Sequence, residues 1–158
     1  MSIIPRFSFT YNHKPFDLAD VTVTPTEYGR LYEYPDGLRV ELHVEEYTAY
    51  NAVKWTLWFE NKGDADSPRI CGLNGADVYF EGKGPRLCGI LGDARNEAYG
   101  PGDKVSGSTY GMNNEPYDRP LPMGLPTELH PVGGCSCNHE YPYFNIQTTA
   151  GNVSVTVG

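Results

Sequence analysis

The chain has 158 residues, a length that a single hydrophobic core can organise, and its 18 Gly and 13 Pro favour many short elements over long helices. The formal charge of −8 is spread along the chain, and no Lys/Arg cluster is present that could track a phosphate backbone, so nucleic acid is not an expected partner. No apolar run approaches membrane-spanning length and residues 1–6 lack the apolar core of a signal peptide, so a soluble, cytoplasmic protein with no membrane partner is expected.

In chain order, residues 7–11, 21–24 and 30–34 are short strand candidates. Residues 38–45 alternate cleanly: Leu38, Val40, Leu42 and Val44 point one way, and Arg39, Glu41, His43 and Glu45 the other. Residues 52–60 repeat the pattern, with Val53, Trp55, Leu57 and Phe59 on one face and Lys54, Thr56, Trp58 and Glu60 on the other. The turn Asn61-Lys62-Gly63-Asp64 follows. These two segments form a long antiparallel pair. Further strand candidates are residues 70–73, 76–81, 86–91, 143–148 and 153–157. No apolar stripe at helical spacing persists over three turns.

Residues 92–131 read as a long irregular loop, in which Pro116, Pro120, Pro122, Pro126 and Pro131 disfavour any central strand. The sum predicts an all-β fold, an antiparallel sandwich with less than about one-fifth helix, as one domain over residues 1–158. The closing strand at residues 153–157 has no polar tail, which suggests a sandwich incomplete at its C-terminal end and cut from a longer chain.

Chemistry is sparse. The sequence holds no GxSxG, no HExxH and no phosphate-cradling glycine loop, so no catalytic residue and no cofactor are expected. Cys71, Cys88, Cys135 and Cys137 form no CxxC pair. Cys135-Ser136-Cys137 with His139 offers three soft ligands at a spacing foreign to common zinc sites, so ordinary thiols and no metal are the expectation. Trp58 sits on the polar face of its strand. It serves either as a platform on which a sugar stacks or as a surface covered by another domain, and covering is the commoner case. Gly133-Gly134 permit a tight backbone ahead of Ser136, Asn138 and His139, a polar loop suited to hydroxyl-rich ligands or merely to capping its own turn.

Three stretches carry a resemblance. Pro5-Arg6-Phe7-Ser8-Phe9-Thr10-Tyr11 resembles the PFSFxYxG opening of α-galactosidase-like glycoside hydrolases. Residues 52–63, AVKWTLWFENKG, resemble their AVEWxLxFxNxG strand and turn. Residues 133–146, GGCSCNHEYPYFNI, resemble their GGRSSNxxLPFFN segment. The order matches and the span covers nearly the whole chain, with Cys135 and Cys137 standing where Arg and Ser are common. The resemblance implies a supersandwich-like N-terminal domain that packs on a (β/α)8 barrel. That barrel carries the two catalytic Asp for α-galactosides or related sugars, so none transfers onto this sequence. Ser136, Asn138, His139 and Trp58 are the expected sugar-facing residues. A free-standing carbohydrate-binding module, or a structural or homo-oligomer-forming domain with no sugar contact, are the competing expectations.

Overall fold

The computed structural model describes residues 5–90, 116–122, 124–129 and 143–157. Strand makes up 54% of these residues and helix 5%, so the chain is all-β. Every strand pairing among the described residues is antiparallel, as the sandwich expectation requires. The chain divides into two compact units, Met1–Tyr79 and Phe80–Gly158.

The first unit holds β1 (Ser8–Tyr11), β2 (Lys14–Pro15), β3 (Thr22–Pro25), β4 (Gly29–Glu33), β5 (Leu38–Tyr47), β6 (Ala52–Asn61) and β7 (Ile70–Asn74). They make two sheets, ordered β2-β1-β7 and β3-β4-β5-β6. The alternation in the sequence decides which side chains lie between them. Leu38, Val40 and Leu42 of β5 turn inward and are buried, Val40 completely. From the other sheet, Phe9 and Tyr11 of β1 enter the same cluster, joined by Tyr32 of β4. The layers meet through aromatic rings: Phe9 stacks on Phe16 at 5.0 Å and meets Phe59 of β6 edge-on at 5.5 Å. Burying each such side chain contributes about 1.5–3 kcal/mol, so this cluster is the main stabilising feature of the unit.

Turns set the registers. Asn12 and His13 both take positive φ (48° and 63°), the backbone of a two-residue hairpin that matches strand twist. β5 and β6 pair without a break from Leu38↔Asn61 to Tyr47↔Ala52. The 3-10 turn Thr48–Tyr50 and a left-handed Asn51 (φ 48°) close that hairpin. At its far end Gly37 (φ +96°) lies against Gly63, so close that a Cβ on Gly37 would sit 2.5 Å from the Gly63 nitrogen. The β4–β5 turn and the β6 exit turn therefore touch main chain to main chain.

The second unit holds β8 (Arg86–Ile90), β9 (Pro116–Pro120), β10 (Tyr143–Thr148) and β11 (Gly151–Thr156), ordered β11-β10-β8-β9. Its sheet is two-faced. Leu87, Phe144, Ile146, Val153 and Val155 share one side by register, and Arg86, Cys88, Asn145, Gln147, Asn152 and Ser154 the other. Leu87 is 3% exposed.

Two expectations are corrected. Residues 76–81 form no strand: their one ladder-like contact is the Asp77 amide to the Arg6 carbonyl at 2.8 Å, and Tyr79 is exposed. The segment 92–131 is not irregular throughout, because residues 116–120 are β9. That strand runs along the sheet edge with a proline at each end, the placement in which a missing amide costs no ladder bond.

Candidate functional site

The outer face of β3-β4-β5-β6 carries the feature most unlike an ordinary solvated surface. Trp58 is 59% exposed at the middle of β6. Register places Glu41 directly across from it on β5, and His43 two residues along the same face. The His43 ring centre lies 6.2 Å from Trp58, and Tyr28, itself 57% exposed, lies 5.4 Å from His43 on the other side. Trp58, His43 and Tyr28 form a diagonal aromatic stripe over three adjacent chain segments. Gly29 stands opposite His43 on β4, so no side chain there separates Tyr28 from the imidazole.

Charge surrounds the stripe. His43 Nε2 lies 2.9 Å from Glu41 Oε1, an ion-pair distance, but out of line for a hydrogen bond; the contact is one of proximity. Arg39 pairs with Glu33 at 2.7 Å and Lys62 with Glu60 at 2.6 Å. At the other end Lys54 and the Tyr47 hydroxyl both donate to Glu45, at 2.7 and 2.6 Å, and hold its carboxyl below the usual range. An aromatic centre with acceptor carboxylates at its margin suits a ligand with one C–H face and a rim of hydroxyls.

A recess of about 210 Å³ lies between Pro5, Gly29, Arg30, Tyr32, Leu42 and Val44, smaller than the roughly 300 Å³ at which ligand pockets begin. On the second unit, Arg86 Nε donates to Asp118 Oδ1 at 2.7 Å, and the Cys88 thiol donates to the same oxygen at 3.3 Å. Burial, then that hydrogen bond, raise the Cys88 thiol, so it is a poor nucleophile. Among the described residues no group of three or more His, Cys, Asp or Glu side chains is placed to hold a metal ion. Nor is any helix among them long and apolar enough to cross a membrane.

Of the four residues expected to face a sugar, Trp58 lies on this exposed surface, while Ser136, Asn138 and His139 fall outside the described residues. His43 and Tyr28 were not singled out from the sequence. His43 was readable as outward on β5, but its neighbour across the hairpin depends on the register, and Tyr28 belongs to a turn with no periodicity. No family model, no curated protein and no solved structure matches this chain.

Proposed function

We propose that the chain is a non-catalytic accessory domain of an α-galactosidase-like glycoside hydrolase, one that packs on a (β/α)8 barrel and shapes the mouth of its active site. The observation that carries the reading is the exposed Trp58, backed by His43 and Tyr28, on a rigid strand within one of the three resembling stretches. Surfaces of this kind are either covered by a neighbouring domain or stacked against sugar rings. On the same reading the loop with Ser136, Asn138 and His139 offers hydroxyl, amide and imidazole groups to an α-galactoside at the mouth of the barrel. Retaining hydrolysis needs two carboxylates about 5–5.5 Å apart across the scissile bond, and in this family the barrel supplies them.

A free-standing carbohydrate-binding module is the second reading, favoured by the openness of Trp58 in the chain alone. One experiment separates the two. Aryl α-galactoside is offered to the purified chain and to the enzyme formed with its barrel, each also with Trp58→Ala, Asn138→Ala and His139→Ala. The accessory reading expects no turnover by the chain alone and a lowered kcat/KM for the variants of the whole enzyme. Turnover by the chain alone, lost on replacing one of its own Asp or Glu, overturns it. Tight galactoside binding by the chain alone, lost in Trp58→Ala, establishes the module instead.

A further inference from the structure

The edge of β6, which pairs with no further strand among the described residues, is the feature that the proposed function leaves unused. Sheet edges are normally blunted by proline, a bulge, short length or charged side chains. β3, at the opposite edge of the sheet, is four residues long and ends in Pro25. β7, at an edge of the facing sheet, is interrupted by Gly72 at φ +60°. Of these devices β6 has only charge, in Lys54 and Glu60 of opposite sign: it is ten residues long, contains no proline, pairs with β5 in unbroken register and turns Val53, Trp55, Leu57 and Phe59 inward.

The direction of its main-chain groups follows from the ladder. The Lys62 amide donates to the Gly37 carbonyl at 2.9 Å, just beyond the first pair. Antiparallel pairs alternate between hydrogen-bonded and non-bonded, so the even-numbered residues of β6 bond to β5 and the odd-numbered ones do not. On the opposite side of β5, the Val44 amide bonds to the Tyr28 carbonyl and the Tyr34 amide to the Leu38 carbonyl, which gives the same parity. The amides and carbonyls of Val53, Trp55, Leu57 and Phe59 therefore point to the free edge. Among the described residues no backbone group bonds to them. The side chains of these four residues are only half buried, whereas the equivalent Leu38, Val40 and Leu42 of β5 are buried.

We propose that this edge pairs with the β6 edge of a second copy of the chain, antiparallel about a two-fold axis through Leu57. Charge selects that register. With Leu57 on the axis, Lys54 faces Glu60 of the other copy, Thr56 faces Trp58, and Trp55 faces Phe59. Moving the register one way by a hydrogen-bonding step sets Lys54 opposite Lys62, and moving it the other way leaves Lys54 opposite Trp58. Only the Leu57-centred register joins opposite charges at both ends, and its facing pairs Trp55–Phe59 and Leu57–Leu57 are those whose main-chain groups point outward. The result is one eight-stranded sheet, β3-β4-β5-β6 continued by its symmetry mate, with two Trp58 side chains on the same outer face.

The test is sedimentation velocity on the chain, with Lys54→Glu, Glu60→Lys and the double reversal, folding being checked by circular dichroism. The wild type is expected to dimerise. Each single reversal sets like charges opposite across the two-fold at two symmetric places, besides breaking the Lys54–Glu45 or the Glu60–Lys62 pair within each copy, and should weaken the dimer about tenfold. The double reversal should restore it. In addition, a mixture of separately prepared Thr56→Cys and Trp58→Cys chains should cross-link to each other on oxidation faster than either does with itself. A wild type that stays monomeric, a dimer indifferent to the charge reversals, or cross-linking without preference for the mixed pair overturns the proposal.

Discussion

Tyr11 Oη donates to Asp36 Oδ2 at 2.8 Å, a bond from β1 in one sheet of the first unit to the β4–β5 turn of the other. Tyr11 is 6% exposed, and burial, followed by the Asp36 bond, raises its phenol well above the ordinary value of 10.0. The folded chain therefore keeps the proton at a pH where the unfolded chain loses it. The associated stability is complete below about pH 10 and is lost as the pH rises beyond that. Tyr11→Phe is expected to cost about 1.5–3 kcal/mol at neutral pH, since the lost bond is to a carboxylate. It should also flatten the fall of stability on the alkaline side. Urea melts at pH 7 and pH 11 read both effects; a variant as stable as the wild type at pH 7, with an unchanged alkaline slope, removes the bond as a tie between the layers.

Trp55 and Trp58 are three residues apart on one strand and face opposite ways. Trp55 packs against the core, and its indole Nε1 donates to the Gly75 carbonyl at 2.7 Å. Trp55→Ala is expected to cost about 3 kcal/mol, the low end for a large aromatic because the ring is only half buried. Trp58→Ala should cost less than about 1 kcal/mol, as surface changes do. Equal losses in denaturant melts would contradict the opposite facing.

Gly37 has no room and no conformational freedom for a side chain. Gly37→Ala would force a Cβ into the Gly63 main chain at a positive φ, and is expected to cost about 3 kcal/mol. Gly75→Ala is the control: nothing lies within 4 Å of its added Cβ, and the change should stay within about 0.5 kcal/mol. Thermal melts of the two variants decide whether the touching turns matter.

The Cys88 thiol is raised by burial first and by its bond to Asp118 second. Asp118→Ala removes the second cause and leaves the first. Alkylation of Cys88 at pH 8, followed by peptide mass spectrometry, should accelerate, though by less than about tenfold. An unchanged rate would mean that burial alone protects the thiol.

The parts of the fold legible in the sequence are those with strict alternation. Residues 38–45 and 52–60 emerged as β5 and β6 with the expected faces, because each has one wet side and one side turned to the core, buried on β5 and half-buried on β6. Residues 143–148 coincide with β10, and β1, β3, β4, β7, β8 and β11 lie within a residue or two of their expected bounds. Residues 76–81 misled because Val78 and Phe80 mimic alternation where no partner strand among the described residues offers a ladder. Pro116 and Pro120 hid β9, since proline rules out a central strand but not an edge. At the candidate site Trp58 was legible from its own strand. Its companions were not, because His43 joins it only through the ten-pair register and Tyr28 only through the turn before Gly29.

That register has a consequence in time as well as in space. β5 and β6 are joined by a short loop and gain all ten pairs from neighbouring stretches of chain, so the entropy of bringing them together is small. β1 finds its partner β7 only across the length of the unit, where Thr10 pairs with Cys71. Local pairings form early and distant ones late. The hairpin is thus expected to be in place, with Val40 and Leu42 still open to water, before Phe9 and Tyr11 arrive to cover them. Substitutions in the hairpin should then slow folding, while those in β1 should mainly hasten unfolding.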